Sequence, residues 1–212
     1  MLKKKFCLIG VDSDFEEFIQ QNTKFFLGYF SEKKRSYKSI NKNKWLGEHT
    51  NKNWMEIKKR YNPSSFIVID DNYKREELFK TIYKNNCLNL LCKNSNIAKS
   101  AKNYLMKKKC VIIQDHVKIM PNVKINDGVK IHIGAQIHHD CNIHEFSTIA
   151  PKALLLGNVK VERNTFIGAN STIKQNIKIG EGAVIGAGSV VVNDIKKFDV
   201  VAGVPAKSIK VD

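Results

Sequence analysis

The sequence predicts two unlike halves: a small α/β domain built on a parallel sheet, then an all-β coil of short parallel strands. Three observations carry this reading. Strand-like and helix-like segments alternate through residues 1–92. Residues 111–194 divide into fourteen consecutive hexads, each with an aliphatic residue at its third place. Charge divides the same way: residues 1–110 hold 24 Lys/Arg against 11 Asp/Glu, and residues 111–212 hold 12 against 9. The expected organisation is an α/β domain over 1–92, a linker over 93–110, the coil over 111–194 and a C-terminal cap segment over 195–212.

In the first half, Phe6–Gly10 is an apolar run ending in glycine and reads as a strand. Asp14–Gln21 reads as a short helix and Lys24–Phe30 as the second strand. Asn53–Arg60 reads as a helix closed by Pro63, which cannot continue it. Ser65–Asp70 is the third strand. In Asn72–Asn85 the residues Leu78, Phe79, Ile82 and Tyr83 stand at helical spacing. Leu88–Leu91 reads as a fourth strand. Ligands of parallel sheets bind at the carboxyl ends of strands, an edge that Gly10, Ser31 and Asp70–Asn72 would line.

The hexads place Ile113, Ile119, Ile125, Ile131, Ile137, Ile143, Ile149, Leu155, Val161, Ile167, Ile173, Ile179, Ile185 and Val191 in one column. The first place of each hexad is small or β-branched. Neither the strand period of 2 nor the helix period of 3.6 accommodates a repeat of six. A coil of three flat faces does: each hexad gives one face and one corner, the aliphatic side chain points inward, and eighteen residues close a turn. Stability is then close to a sum over repeats and their interfaces, and the ends need caps. The α/β half is expected to cover one end and residues 195–212 the other.

A chain of 212 residues with 42% hydrophobic content can bury a core. No apolar run approaches the roughly 20 residues that span a bilayer. The stretch Met1–Gly10 is too short for a secretory leader and Asp12 ends it, so a soluble, unsecreted, cytoplasmic protein is expected. The five cysteines (Cys7, Cys87, Cys92, Cys110, Cys141) are odd in number, widely spaced and without a CxxC pair. That argues against a disulfide framework and a zinc ribbon. The formal net charge is +16. A basic first half would attract polyanions, but it carries no familiar nucleic-acid motif, and a solvated lysine-rich surface is the plainer account.

Chemistry concentrates in the coil. Four of the six histidines fall in residues 132–144: His132, His138, His139 and His144. None takes the inward third place; all fall near corners. Gly157 lies eighteen residues beyond His139, one turn up the coil. Acyl transfer from a thioester needs a base for the nucleophile's proton and a donor for the developing oxyanion. A histidine beside a backbone without a side chain offers both, with Gly157 as the acyl-cradling position and Asp140 or Glu145 to orient the imidazole. Gly168, Ala169, Gly186, Ala187 and Gly188 make the later corners small enough for an extended pantetheine arm, although corners also favour glycine for its backbone freedom. Lys207 reads either as a phosphate contact or as a surface lysine.

A small α/β domain ahead of an uninterrupted hexapeptide coil resembles the sialic-acid O-acetyltransferase and nucleotide-amino-sugar N-acetyltransferase family, typified by the enzymes that make UDP-diacetylbacillosamine. The resemblance rests on His139-Asp140-Cys141, Glu145-Phe146-Ser147, Leu156-Gly157-Asn158-Val159, Ile167-Gly168-Ala169-Asn170 and Gly203-Val204-Pro205-Ala206-Lys207, with weaker matches at Ile9-Gly10 and at Asp71-Asn72 with Arg75. It implies a left-handed parallel β-helix behind a small Rossmann-like sheet, and a homotrimer binding acetyl-CoA between adjacent coils. It implies N-acetylation of a nucleotide-linked amino sugar for bacterial surface glycans, with no metal, nucleic acid or membrane span. His139 would be general base beside Asp140. Acetyl-CoA would meet Thr148, Gly157, Ala169, Gly186, Ala187 and Lys207. The nucleotide sugar would meet Gly10, Asp12, Ser13, Ser31, Glu32 and Asp70.

This chain departs from the family pattern in four places. Gly10-Val11-Asp12-Ser13-Asp14 stands for a glycine-rich turn with a histidine, Ser31-Glu32 for an acidic pair, Asp70 for a glycine, and Thr148 for a histidine. O-acetylation of a sialic-acid-like nonulosonic acid stays open as the second reading. A γ-carbonic-anhydrase-like zinc site would need a third ligand well upstream of His139 and His144, and no histidine lies between His49 and His116. A non-catalytic basic scaffold is the remaining alternative.

Overall fold

The computed structural model describes residues 4–10, 15–32, 44–83 and 85–209. Two compact units divide the chain at Leu88/Asn89. Asp12 and Ser13 lie outside the described residues.

The first unit runs β1 (Phe6–Ile9), α1 (Glu16–Gln21), β2 (Phe26–Phe30), α2 (Asn51–Tyr61), β3 (Ser64–Ile67) and α3 (Asn72–Leu78), which continues as a π-helical turn over Phe79–Tyr83. The strands are parallel in the order β2-β1-β3, with Cys7 opposite both Gly28 and Ser65. The central strand is wholly buried, as expected for a parallel sheet covered on both faces. Phe6 packs within 5.3–5.7 Å of Phe18, Phe26 and Phe66. A second aromatic pair, Trp54 and Tyr83, meets edge to face at 4.9 Å. Helix α2 starts where the Thr50 hydroxyl accepts the Asn53 N–H, and it stops at Asn62, left-handed at φ 41°, one residue before Pro63.

Two expectations change at the boundary. Leu88–Leu91 does not add a fourth strand to the first unit: β4 (Leu90–Leu91) pairs in parallel with Ile112–Ile113 of the coil. The Asn89 side chain fixes this choice, donating to the Lys108 carbonyl at 2.8 Å and accepting the Val111 N–H at 2.9 Å. The stretch 93–110, read as a linker, is part of the second unit. It contains β5 (Asn96–Ile97), which pairs with Lys118–Ile119, and α4 (Lys99–Leu105). Ala101 and Leu105, one helical turn apart, are fully buried in the same core as the coil's aliphatics, so α4 closes the coil's N-terminal end.

Fourteen two-residue strands, β6 (Ile112–Ile113) through β19 (Val190–Val191), follow at one per hexad. Each pairs in parallel with the strand eighteen residues away, as Gln136–Ile137 does with Lys118–Ile119 and Leu154–Leu155. Every third-place side chain is at most 2% exposed. The first face stacks Ile113, Ile131, Ile149, Ile167 and Ile185, the second Ile119, Ile137, Leu155, Ile173 and Val191, and the third Ile125, Ile143, Val161 and Ile179. The corners turn through a left-handed residue at each sixth place from His116 to Gly188, with φ between 55° and 70°. Asn, Asp and Gly hold most of these places because they tolerate that conformation. At the C-terminal end β20 (Val200–Gly203) extends the first face beside Val184–Ile185, and β21 (Ala206–Ser208) turns back on it.

Candidate active site

His139 and Asp140 occupy the corner between the second and third faces. Asp140 is the sixth-place residue, and its left-handed backbone (φ 61°) folds its carboxylate back onto the preceding side chain. His139 Nδ1 lies 2.8 Å from Asp140 Oδ2. Asn122, one turn below, donates its amide to Asp140 Oδ1 at 3.2 Å. These two bonds, that of His139 first, hold the Asp140 carboxyl below the usual carboxylate range. A carboxylate only accepts, so Nδ1 carries the proton and the neutral imidazole keeps its lone pair on Nε2.

Gly157 stacks directly on that ring. A Cβ built there would lie 2.7 Å from His139 Cε1 and 2.8 Å from Nε2. Only glycine leaves the imidazole where it is. Leu156 N–H donates to the Ile173 carbonyl and Asn158 N–H to the His139 carbonyl. Among the described residues the Gly157 N–H between them has no acceptor. The His139 and Asp140 side chains are 60% and 51% exposed, so a substrate can reach the base. Beneath the corner, the fully buried Cys141 directs its thiol at the Leu156 carbonyl, 3.1 Å away. Burial pushes that thiol up to about 11, so it is protonated at neutral pH and donates.

His139, Asp140 and Gly157 are therefore brought together. Glu145 sits instead beside His144, at 3.9 Å from its Nδ1, while Asn142 donates to His144 Nε2 at 3.1 Å. His132 is buried and His138 half-buried. The other coil candidates lie elsewhere. Thr148 is fully buried on the first face. Ala169, Gly186 and Ala187 follow one another up the corner between the first and second faces, and Lys207 is exposed on β21. Packing accounts for two of the glycines: a Cβ at Gly168 would strike the backbone of Ile185–Ala187, and one at Gly186 would lie 2.9 Å from Ala202 Cβ.

In the first unit Gly10, Ser31, Glu32 and Asp70 all follow the carboxyl ends of strands. Gly10 has φ 94°, and a Cβ there would lie 2.6 Å from Ile69 Cγ1. The fully buried Arg75 braces this edge, its Nη1 donating to the Ile69 and Asp70 carbonyls at 2.8 and 3.2 Å and its Nη2 to Asn72 Oδ1 at 2.9 Å. His49 was not foreseen there. Its Nε2 donates to the Phe30 carbonyl at 2.8 Å, and burial pushes its pKa down. It belongs to no periodic segment or motif, so the sequence held no signal for it.

The bacterial transferase hexapeptide family (six repeats) has a model that matches residues 158–193. Among solved structures, a mutant of the GDP-perosamine N-acetyltransferase of Caulobacter crescentus, in complex with CoA and GDP-perosamine, aligns over 100% of this chain and 99% of its own, with 21% identity and a TM-score of 0.85. The chain has the fold of that structure. The acetyltransferase domain of PglB from Neisseria gonorrhoeae, in complex with acetyl coenzyme A, aligns over 97% and 99%, with 20% identity and a TM-score of 0.83. WeeI from Acinetobacter baumannii aligns over 98% and 100%, with 19% identity and a TM-score of 0.76. A search of curated proteins finds no match. The architecture is a small parallel α/β sheet followed by a left-handed parallel β-helix of hexapeptide repeats, as expected from the sequence. Among the described residues no three His, Cys, Asp or Glu side chains are placed to hold a metal ion, and no helix is long and apolar enough to cross a membrane.

Proposed function

We propose that the chain is an acetyl-CoA-dependent acetyltransferase that N-acetylates the amino group of a nucleotide-linked amino sugar in bacterial surface-glycan biosynthesis. One observation carries the reading: an exposed imidazole, tied through Nδ1 to a carboxylate, lays its Nε2 over a glycine whose N–H has no acceptor among the described residues. Solved structures of the same fold include one in complex with CoA and GDP-perosamine and one in complex with acetyl coenzyme A.

In the proposed reaction the neutral sugar amine attacks the thioester carbonyl carbon. The carbonyl electron pair moves onto oxygen, where the Gly157 N–H stabilises it. His139 Nε2 takes the proton that the amine gives up, and Asp140 stabilises the imidazolium. Collapse of the tetrahedral intermediate breaks the C–S bond, and the imidazolium protonates the departing thiolate. The products are the acetamido sugar and CoA.

The remaining assignments belong to the same proposal. Thr148, Ala169, Gly186, Ala187 and Lys207 contact acetyl-CoA, while Gly10, Asp12, Ser13, Ser31, Glu32 and Asp70 of the first unit contact the nucleotide sugar. His139 and the small-residue column lie on different edges of one coil, and the reading places the cofactor between two copies of the chain in a homotrimer.

The test is free-thiol release from acetyl-CoA with a panel of nucleotide-linked amino sugars and free nonulosonic acids, for wild type beside His139→Ala. Turnover with one amino sugar is expected, falling by about 10²–10⁴ in the variant, the usual worth of a positioned base. No turnover with any acceptor, or equal rates in both proteins, would overturn the mechanism. Turnover only with a nonulosonic acid would move the assignment to O-acetylation. The two differ in pH dependence, because an amine acceptor must lose its proton before it attacks and a hydroxyl acceptor has none to titrate near neutrality.

A further inference from the structure

We infer that Cys141 is a positioning residue for the oxyanion donor, acting through the peptide unit that joins Leu156 to Gly157. This rests on the acetyltransferase reading. The carbonyl oxygen of Leu156 and the N–H of Gly157 are two ends of one planar amide. The Cys141 thiol reaches the first end at 3.1 Å. The second end is the N–H of the glycine stacked on the His139 ring, without an acceptor among the described residues. A donor on the carbonyl fixes the tilt of the amide plane. It also draws electron density toward oxygen, which makes the N–H at the other end a stronger donor through hydrogen-bond cooperativity.

The coil uses the same device elsewhere, and this supplies the controls. Ser147 donates its hydroxyl to the Glu162 carbonyl at 2.8 Å, an oxygen that also accepts the Thr165 hydroxyl at 2.7 Å. The Ser147 pair, like Cys141 and Leu156, joins a first-place side chain to a fourth-place carbonyl fifteen residues on. A hydroxyl therefore serves at this place as a thiol does, which makes Cys141→Ser the conservative variant. Ser147 stitches a different corner, so Ser147→Ala measures what the bond is worth to the coil alone.

Cys141→Ala is expected to lower kcat about tenfold with KM for acetyl-CoA unchanged, a fraction of the 10²–10³ lost when an oxyanion donor is removed outright. Cys141→Ser restores kcat, and Ser147→Ala leaves it at the wild-type value. The Gly157 amide proton, followed by NMR in the full-length protein, moves upfield in Cys141→Ala and stays in place in Cys141→Ser. An unmoved amide in Cys141→Ala overturns the inference whatever the activity. So does a kcat loss shared equally by Ser147→Ala, which would make the bond merely structural. A wild type without acetyltransferase activity overturns the proposed function, and the amide shift then still decides whether Cys141 holds this peptide.

Discussion

Gly157 and His139 solve one packing problem between them, and the solution separates stability from chemistry. Gly157 does not take a left-handed backbone, so an alanine there carries no conformational penalty of its own. Its added methyl meets only the end of an exposed imidazole, which can swing aside. Gly157→Ala is therefore expected to leave the melting temperature nearly unchanged while lowering kcat by about 10², the scale of loss when a reacting group is displaced by about 1 Å. Steady-state kinetics beside a thermal melt checks this, and a variant with wild-type kcat would mean that the ring does not work from over Gly157. The pair was legible in the sequence because a repeat of six closes a turn at eighteen. Spacing alone left the partner of His139 open between Asp140 and Glu145, both within reach along the chain, and the family resemblance pointed to Asp140. Left-handed φ at the sixth place decides it, aiming Asp140 back at His139. The Cys141 thiol bond was hidden for a related reason: it spans fifteen residues between two places of the hexad that the inward aliphatic column does not mark.

At the scale of the hexad, two places do different work. The third place drives burial, and fully burying an aliphatic side chain stabilises by about 1.5–3 kcal/mol. Its column could be read directly because nothing else produces an aliphatic residue at every sixth position. The sixth place turns the corner, and its preference for Asn and Gly is blurred by His116, Phe146 and Lys152. Phe146 holds a left-handed backbone (φ 56°) that bulky residues avoid, with its ring lying over Gly128 one turn below. Gly128 is itself left-handed (φ 70°), and a Cβ there would strike that ring. Gly128→Ala thus combines a backbone cost of about 1–2 kcal/mol with displacement of Phe146. It is expected to lower the urea midpoint of the coil without changing its m-value; an unchanged midpoint would show that the ring moves away freely. Helix α4 escaped the sequence reading because seven residues are too few for a periodic signal, and only the buried Ala101 and Leu105 reveal its role.

For the whole molecule, the six-residue frame makes a stronger claim than any single contact: the coil should accept the loss of a complete turn and reject a loss that breaks the frame of six. Deleting residues 159–176 removes one turn and leaves Leu155 beneath Val191, Ile149 beneath Ile185 and Ile143 beneath Ile179 on their proper faces. His139 and Gly157 keep their stacking. Because a solenoid's stability is close to a sum over its repeats, this shortened chain is expected to keep its β-type circular dichroism and to unfold cooperatively at a lower temperature. Deleting residues 159–175 instead slips the frame by one and turns Lys178 inward, where an unpaired ammonium carries a desolvation cost far larger than one hexad can offset. That chain is expected to lose the coil beyond residue 158, and proteolysis should trim it there. If both deletions melt alike, the aliphatic column is not what sets the register. The first unit offers no comparable experiment. Its three strands and their helices followed from alternating apolar runs, but His49 is placed by a loop, and Arg75 reaches from α3 to the loop carbonyls of Ile69 and Asp70, and no periodicity encodes the geometry of either loop.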